Sequence, residues 1–209
     1  MPIRELVPDK LWEYENFLTR EEVDAIMGVV SSSEESSWFS ENLPDYDQHH
    51  AGKTLPVGNT PELEPIINKI NARVDALFLG ATSMVNIGSV VRGSSIYTPV
   101  GLHRDNEDED MSDNRNADNK YGILMYLNDT FDGGEICYPE LGIEYKPKPG
   151  VLLIHYAGNL HGVNPISNGV RYSMTSFAWG LSATVNMQQF ADELWELAYG
   201  KLLLWNLKN

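Results

Sequence analysis

The sequence is poor in three features that each define a class of protein: cysteine, basic residues and long apolar runs. Its 209 residues include one cysteine, Cys137, so the chain cannot build an internal disulfide framework. No apolar run approaches the roughly 20 residues that a transmembrane helix needs. The N-terminal residues also lack the charged start and apolar stretch of a signal peptide. We therefore expect a cytoplasmic protein.

The scarcity of basic residues excludes several partners. There are 15 Lys and Arg residues against 30 Asp and Glu residues, which gives a formal net charge of −15. Such a surface repels nucleic acids and anionic membranes, so we expect neither as a partner. The content of 42% apolar and 10% aromatic residues is typical of a globular protein.

Helical patterns dominate the N-terminal third. Thr19 and Glu22 have the spacing of a capping box, and an apolar helical face follows them. A second helix is predicted from the cap and first-turn pair Thr60–Pro61 to Gly80. Residues 31–60, which contain serine, proline and glycine, are predicted to be loop.

From about residue 83 the sequence changes to short β-branched and aromatic segments separated by turn residues. The predicted strands are Val85–Tyr97, Tyr121–Leu127, Glu135–Tyr138, Val151–Tyr156 and Val170–Trp179. The absence of helix-length patterns between them argues against a parallel sheet and favours an antiparallel barrel or jelly roll. We predict one domain, 1–209, of mainly β (α+β) class: supporting helices and loop at 1–82, a β core at 83–180 and a helical tail at 181–209.

Two histidines and an aspartate in the β region are suited to hold one metal ion. In His103-Arg104-Asp105, residues two apart face the same way on an extended segment, so an imidazole and a carboxylate can bind one ion. An antiparallel sheet readily brings the distant His161 to them. Two histidines and one carboxylate form the facial triad of non-haem Fe(II) oxygenases, which leaves positions open for a chelating cosubstrate and O2.

Arg171 suggests what that cosubstrate is. It follows His161 by ten residues on a predicted strand, where alternation places Arg171, Ser173 and Thr175 on one face. A guanidinium inside a barrel needs an anionic partner, and its fork binds a carboxylate in bidentate fashion. Ser173 can add a hydroxyl donor. A dicarboxylate that chelates iron at one end and meets Arg171 at the other corresponds to 2-oxoglutarate.

Several motifs occur in an order that is more specific than any one of them. They are Phe17–Glu22, His103-x-Asp105, Tyr126–Asp129, Phe131–Glu135, Pro147–Gly150, His161–Val163 and Gly169–Ser173. This ordered set resembles the 2-oxoglutarate/Fe(II)-dependent dioxygenases, in the branch of the prolyl 4-hydroxylases and prolyl-hydroxylase-like proteins. The likeness extends from about residue 15 to about residue 180.

The resemblance implies a double-stranded β-helix core of the jelly-roll or cupin type. It implies that His103, Asp105 and His161 bind Fe(II) and that Arg171 binds the distal carboxylate of 2-oxoglutarate; these four are the expected catalytic residues. Tyr126 occupies the position of a tyrosine that, in some relatives, hydrogen-bonds the same carboxylate. The implied reaction uses O2, with ascorbate as a further cofactor, and couples oxidative decarboxylation of 2-oxoglutarate to succinate and CO2 with hydroxylation of a substrate C–H bond.

Two departures from the family pattern refine this expectation. Collagen-type prolyl hydroxylases have lysine where this chain has Arg171, which places the chain nearer the oxygen-sensor, bacterial and viral relatives. The stretch before the triad is shorter than in many relatives, which argues against a cosubstrate role for Tyr97. Asp105 retains the carboxylate that the related halogenases lack, so halogenation is disfavoured.

Three functions remain open on the sequence alone. The first is hydroxylation of a prolyl or other peptidyl residue of a peptide or protein, and the second is hydroxylation of a free amino acid or another small molecule. The third is a non-catalytic jelly-roll binding protein, which the intact ligand set disfavours. A serine hydrolase is poorly supported because the chain has no Gly-x-Ser-x-Gly elbow. Neither the substrate nor the oligomeric state follows from the sequence.

Other polar residues have weaker assignments. The acidic segment between Gly101 and Asn119, which includes Glu107, Asp108, Glu109 and Asp110, is either a solvated loop or a lid that favours a cationic or peptide substrate. We expect His49, His50 and His155 not to be metal ligands.

Overall fold

The computed structural model describes residues 3–39, 52–81, 86–97, 99–107, 118–180 and 182–186. The chain opens with a β-hairpin of strands β1 (Ile3–Val7) and β2 (Leu11–Tyr14). The connecting turn places Asp9 at φ 58°, and the Glu5 carboxylate accepts a hydrogen bond from its N–H at 2.7 Å. The helical expectation for the start of the chain was wrong here, because β2 is buried between β1 and a strand far along the sequence, and this pairing outweighs local propensity.

The two predicted helices are present. Helix α1 (Arg20–Ser32) starts at the predicted capping box: Thr19 accepts from the N–H of Glu22 at 3.2 Å, and the Glu22 carboxylate accepts from the N–H of Thr19 at 2.9 Å. Helix α2 (Glu64–Asp75) starts later than predicted. The hydroxyl of Thr60 donates to the carbonyl of Pro56 at 2.9 Å and does not cap the helix.

The remaining strands are short, apart from one long strand. They are β3 (Lys53–Pro56), β4 (Phe78–Leu79), β5 (Ser89–Ser94), β6 (Asn119–Tyr126), β7 (Phe131–Gly133), β8 (Ile136–Tyr138), β9 (Ile143–Tyr145), β10 (Leu152–Tyr156), β11 (Gly162–Val163), β12 (Ile166–Trp179) and β13 (Thr184–Val185). Each predicted strand corresponds to one of them, with shorter or longer bounds. Strand β3 corrects the loop prediction for residues 31–60, since it pairs with β5 at the end of the large sheet.

Two antiparallel sheets face each other across the site. The large sheet has the order β1-β2-β10-β6-β12-β5-β3, and the small sheet has the order β11-β8-β9. The long strand β12 pairs with β7 through its first residues and with β6 and β5 through its later residues. This is the predicted mainly β architecture with a jelly-roll core.

The hydrophobic core holds the central strands in place. Ile123 and Met125 of β6, Ile154 of β10 and Met174 of β12 are almost fully buried, together with the inner faces of both helices. No helix in the described part of the chain is long and apolar enough to span a bilayer. The helical prediction for residues 181–209 was wrong at its start, where β13 (Thr184–Val185) pairs with β4. The rest of that tail, from residue 187, and His49 and His50 lie outside the described residues.

Candidate active site

An antiparallel bridge brings the two candidate histidine ligands together. The N–H of His103 donates to the carbonyl of His161, and the N–H of His161 donates to the carbonyl of His103, both at 2.9 Å. Their ring centroids lie 4.4 Å apart. This antiparallel bridge joins two residues separated by 58 positions, as the sequence analysis expected from an antiparallel fold.

Backbone carbonyls fix the tautomers of both rings. The Nδ1 atom of His103 lies 2.9 Å from the carbonyl oxygen of Gly101, and the Nδ1 atom of His161 lies 3.0 Å from that of Asn159. A carbonyl oxygen can only accept, so each Nδ1 carries a proton. In the neutral rings the lone pairs are then on the Nε2 atoms, which is the usual state of metal-binding histidines.

Asp105 supplies the carboxylate between these two nitrogens. Its backbone is held by hydrogen bonds to the Ala157 carbonyl and from the Asn119 side chain, at 2.9 and 3.0 Å. Its Oδ1 atom lies 3.3 Å from His103 Nε2 and 3.6 Å from His161 Nε2. One ligand atom from each of the three residues falls within 4.8 Å of the others, so the structure brings the predicted triad together.

The electrostatics of this cluster suit a divalent cation. Burial opposes ionisation of Asp105, but hydrogen bonds from the protonated form of His103 and from His155 outweigh it and hold the pKa of this carboxyl well below its usual range. Burial lowers the pKa of His161 to about 4, so its ring stays neutral at physiological pH. Burial also opposes the charge on His103, yet Asp105 and the Gly101 carbonyl raise its pKa. An ionised carboxylate beside imidazole nitrogens is the donor set that Fe(II) accepts.

Arg171 lies in the same cavity, which has a volume of about 300 Å³. Its side chain is 6% exposed, and burial lowers its pKa. Its Nη1 atom donates to the carbonyl of Gly134 at 3.3 Å, while its buried Nε atom has no hydrogen-bond partner, and no carboxylate of the described residues forms an ion pair with it. A buried guanidinium in this state fits an anionic ligand.

Tyr126 and Ser173 line the cavity beside Arg171. The two residues face each other across β6 and β12, and Ser173 is buried. The hydroxyl of Tyr126 is buried without a hydrogen-bond partner in the described part of the protein. Burial raises its pKa to about 12, although the nearby positive charge of Arg171 acts in the opposite direction. The cavity thus contains two polar groups, on Tyr126 and Arg171, whose bonding capacity a carboxylate would satisfy.

His155 is the residue of the site that sequence reasoning missed. It is 1% exposed and lines the cavity. Its Nε2 atom lies 2.7 Å from Asp105 Oδ2, and its Nδ1 atom lies 2.8 Å from the hydroxyl of Tyr138. The residues whose ligand atoms lie close enough together to hold a metal are His103, Asp105 and His161. A histidine in an otherwise apolar predicted strand was the available signal, because a buried imidazole needs polar partners.

Residues near the triad in the sequence lie outside the cavity or outside the described part of the protein. Tyr97 does not line the cavity; its side chain contacts Arg92. Arg104, between the two ligand candidates, points elsewhere and binds the Gly158 carbonyl and the Glu140 carboxylate. Glu107 is exposed, and the acidic residues Asp108, Glu109, Asp110 and Asp113 lie outside the described residues.

Comparisons with known proteins agree with this geometry. Residues 94–179 match the model of the 2OG-Fe(II) oxygenase superfamily. The chain is similar to a prolyl hydroxylase from Trichoplax adhaerens in complex with a hypoxia inducible factor oxygen degradation domain peptide fragment, at 16% identity and a TM-score of 0.58, covering 82% of this chain and 84% of that chain. It is also similar to a Pseudomonas putida prolyl-4-hydroxylase, at 16% identity and a TM-score of 0.58, covering 82% and 92%.

A third similar structure is HygX from Streptomyces hygroscopicus with nickel and 2-oxoglutarate bound, at 12% identity and a TM-score of 0.56, covering 83% of this chain and 84% of that chain. No curated protein matches the chain in sequence. At these identities the structural similarities show a shared fold, the double-stranded β-helix.

Proposed function

We propose that the protein hydroxylates a prolyl residue of a peptide or protein substrate, on the premise that residues 94–179 match the model of the 2OG-Fe(II) oxygenase superfamily. The protein is a dioxygenase by this family match; its substrate and its products are the proposal. The observation that supports it most is the combination of the His103, Asp105 and His161 cluster with the unpaired Arg171 in one cavity.

Each cofactor has residues suited to it. His103, Asp105 and His161 would hold Fe(II), while Arg171, Tyr126 and Ser173 would hold 2-oxoglutarate by its distal carboxylate. When bound, iron and 2-oxoglutarate supply the oxidising power: one oxygen atom of O2 enters the substrate as a hydroxyl, and the other enters succinate as CO2 leaves. The protein contributes position and charge complementarity.

The cavity lining favours an uncharged substrate group near the metal site. Among the described lining residues, the groups that carry or can acquire charge near neutral pH are Asp105, Arg171 and the three histidines. The other lining residues are neutral, including Thr54, Val91 and Val100. A free amino acid has an ammonium and a carboxylate that would both need partners, and the described lining has none to spare. A peptidyl residue presents neutral amides instead, so it fits better.

The neighbouring structures support the same choice. One of the similar folds is a prolyl hydroxylase in complex with a peptide fragment, and another is a prolyl-4-hydroxylase. Hydroxylation of a free amino acid or another small molecule is the second candidate function. The similarity to HygX supports this second candidate, because the fold also occurs in a protein that is not named as a prolyl hydroxylase.

A turnover assay tests the proposal. The protein is supplied with Fe(II), 2-oxoglutarate, O2 and ascorbate, and succinate release is measured with proline-containing peptides, with the same peptides carrying alanine in place of proline, and with free proline. We expect succinate and a 16 Da mass gain for the proline peptides alone. His161→Ala is the inactive control. Product from free proline but from no peptide would replace the proposal with the small-molecule alternative.

A further inference from the structure

A buried hydrogen-bonded chain connects Asp105 to a tyrosine on the small sheet. Asp105 Oδ2 lies 2.7 Å from His155 Nε2, and His155 Nδ1 lies 2.8 Å from the hydroxyl of Tyr138. His155 lies on β10 and Tyr138 on β8, and both are almost fully buried. These two hydrogen bonds therefore connect both sheets to the carboxylate of the candidate metal site.

The bonding capacities of the three groups match. An ionised Asp105 only accepts, so the bond to it requires a proton on His155 Nε2. In a neutral ring the Nδ1 atom is then an acceptor, and the hydroxyl of Tyr138 is its donor. Tyr138 thus selects the ring tautomer that donates to Asp105. Without that hydroxyl, the alternative tautomer, which cannot donate to Asp105, would become accessible.

The two carboxylate oxygens of Asp105 have different neighbours. Oδ2 accepts from His155, whereas Oδ1 lies 3.3 Å from His103 Nε2 and 3.6 Å from His161 Nε2. We propose that His155, held by Tyr138, is a positioning residue that keeps Oδ1 of Asp105 directed toward the metal and Oδ2 away from it. The inference rests on the proposed function, since it assigns a partner to one of the proposed Fe(II) ligands.

Gly122 provides an independent observation. It pairs with His155 across β6 and β10. A Cβ atom at this position would lie 2.1 Å from His155 Nε2 and 2.6 Å from Asp105 Oδ2, closer than any packed contact. The hydrogen bond therefore fills the space above Gly122, and a larger residue would displace it. This close approach explains a glycine in the interior of a central strand, where it is otherwise unfavourable.

The test measures metal binding, not turnover. Co(II) replaces Fe(II), its affinity is measured by titration, and its visible spectrum reports the coordination geometry. His155→Phe keeps a ring but removes the donor, and we expect about 10- to 100-fold weaker binding, as for other residues that hold a metal ligand. We also expect a changed Co(II) spectrum, because the released Oδ2 can approach the metal.

Matched variants separate positioning from folding. His155→Gln keeps an amide donor at the position of Nε2 and should bind Co(II) within about threefold of the wild type. Tyr138→Phe should weaken binding by less than His155→Phe. Tyr145→Phe removes another buried tyrosine hydroxyl, beside Glu13, and should change nothing. If His155→Phe fails to fold, His155→Asn replaces it, because its shorter amide cannot reach Asp105.

Two results would overturn the inference, and they can be told apart. Wild-type affinity and spectrum in His155→Phe, with Co(II) bound normally by the wild type, would refute the positioning role alone. Failure of the wild-type protein itself to bind Co(II) would refute the proposed function and the positioning role with it.

Discussion

Replacing Arg171 with methionine should make the ligand-free protein more stable and its cosubstrate binding much weaker. The guanidinium is 6% exposed, its Nε atom is unpaired, and no carboxylate of the described residues balances its charge. A buried ion without a partner costs several kcal/mol in proteins. The bond to the Gly134 carbonyl and the open cavity recover part of this cost.

The expected magnitudes follow from this balance. Arg171→Met should raise the free energy of unfolding without 2-oxoglutarate by about 1–2 kcal/mol. At about 2–4 °C per kcal/mol for a chain of this size, Tm should rise by about 2–8 °C. With 2-oxoglutarate, the variant loses a charge-assisted pair worth about 2–5 kcal/mol, which weakens binding about 30- to 4,000-fold.

Two measurements test the expected rise in stability and the expected loss of 2-oxoglutarate affinity. Thermal unfolding of the ligand-free protein gives the stability, and calorimetric titration of 2-oxoglutarate into the Co(II)-loaded protein gives the affinity. Arg171→Lys is the control: it keeps the charge but not the fork, so its stability should match the wild type and its affinity should be intermediate. A less stable Arg171→Met variant that still binds 2-oxoglutarate normally would show that Arg171 is structural, and the reasoning would fail.

Three further substitutions test neighbouring features. Tyr126→Phe should leave the stability of the ligand-free protein unchanged and weaken 2-oxoglutarate binding about 10-fold by calorimetry; unchanged affinity would exclude this hydroxyl from the site. Gly122→Ala should weaken Co(II) binding by at least about 10-fold, because the new Cβ displaces His155, and wild-type affinity would contradict that clearance. Asn128→Ala should cost about 1–3 kcal/mol in urea unfolding, since its side chain accepts from the N–H of Tyr172 at 2.8 Å; a cost under about 0.5 kcal/mol would refute this.

The elements that local patterns specify were predictable from the sequence. The capping box at Thr19 and Glu22 marks the start of α1 in both the sequence and the structure. The short β-branched and aromatic segments after residue 83, separated by turn residues, predicted the central strands. His103, Asp105 and His161 could be combined because their types and order match one metal chemistry, and an antiparallel fold allows them to meet.

What the sequence did not predict depends on long-range pairing. Strands β1, β2 and β3 have too little alternation of their own. Strand β2 pairs with β10 and β3 with β5, and β1 pairs with β2. The contact of His155 with Asp105 depends on the register of β10 against β6, which places His155 opposite Gly122. No local pattern specifies that register.

The central claim is that one cavity binds Fe(II) through His103, Asp105 and His161 and binds 2-oxoglutarate through Arg171. The most direct measurement is the visible spectrum of the protein mixed anaerobically with Fe(II) and 2-oxoglutarate. We expect a weak metal-to-ligand charge-transfer band that is lost in His161→Ala and weakened in Arg171→Met. The absence of a band in the wild-type protein, with no iron retained, would contradict the claim and favour a non-catalytic jelly-roll binding protein.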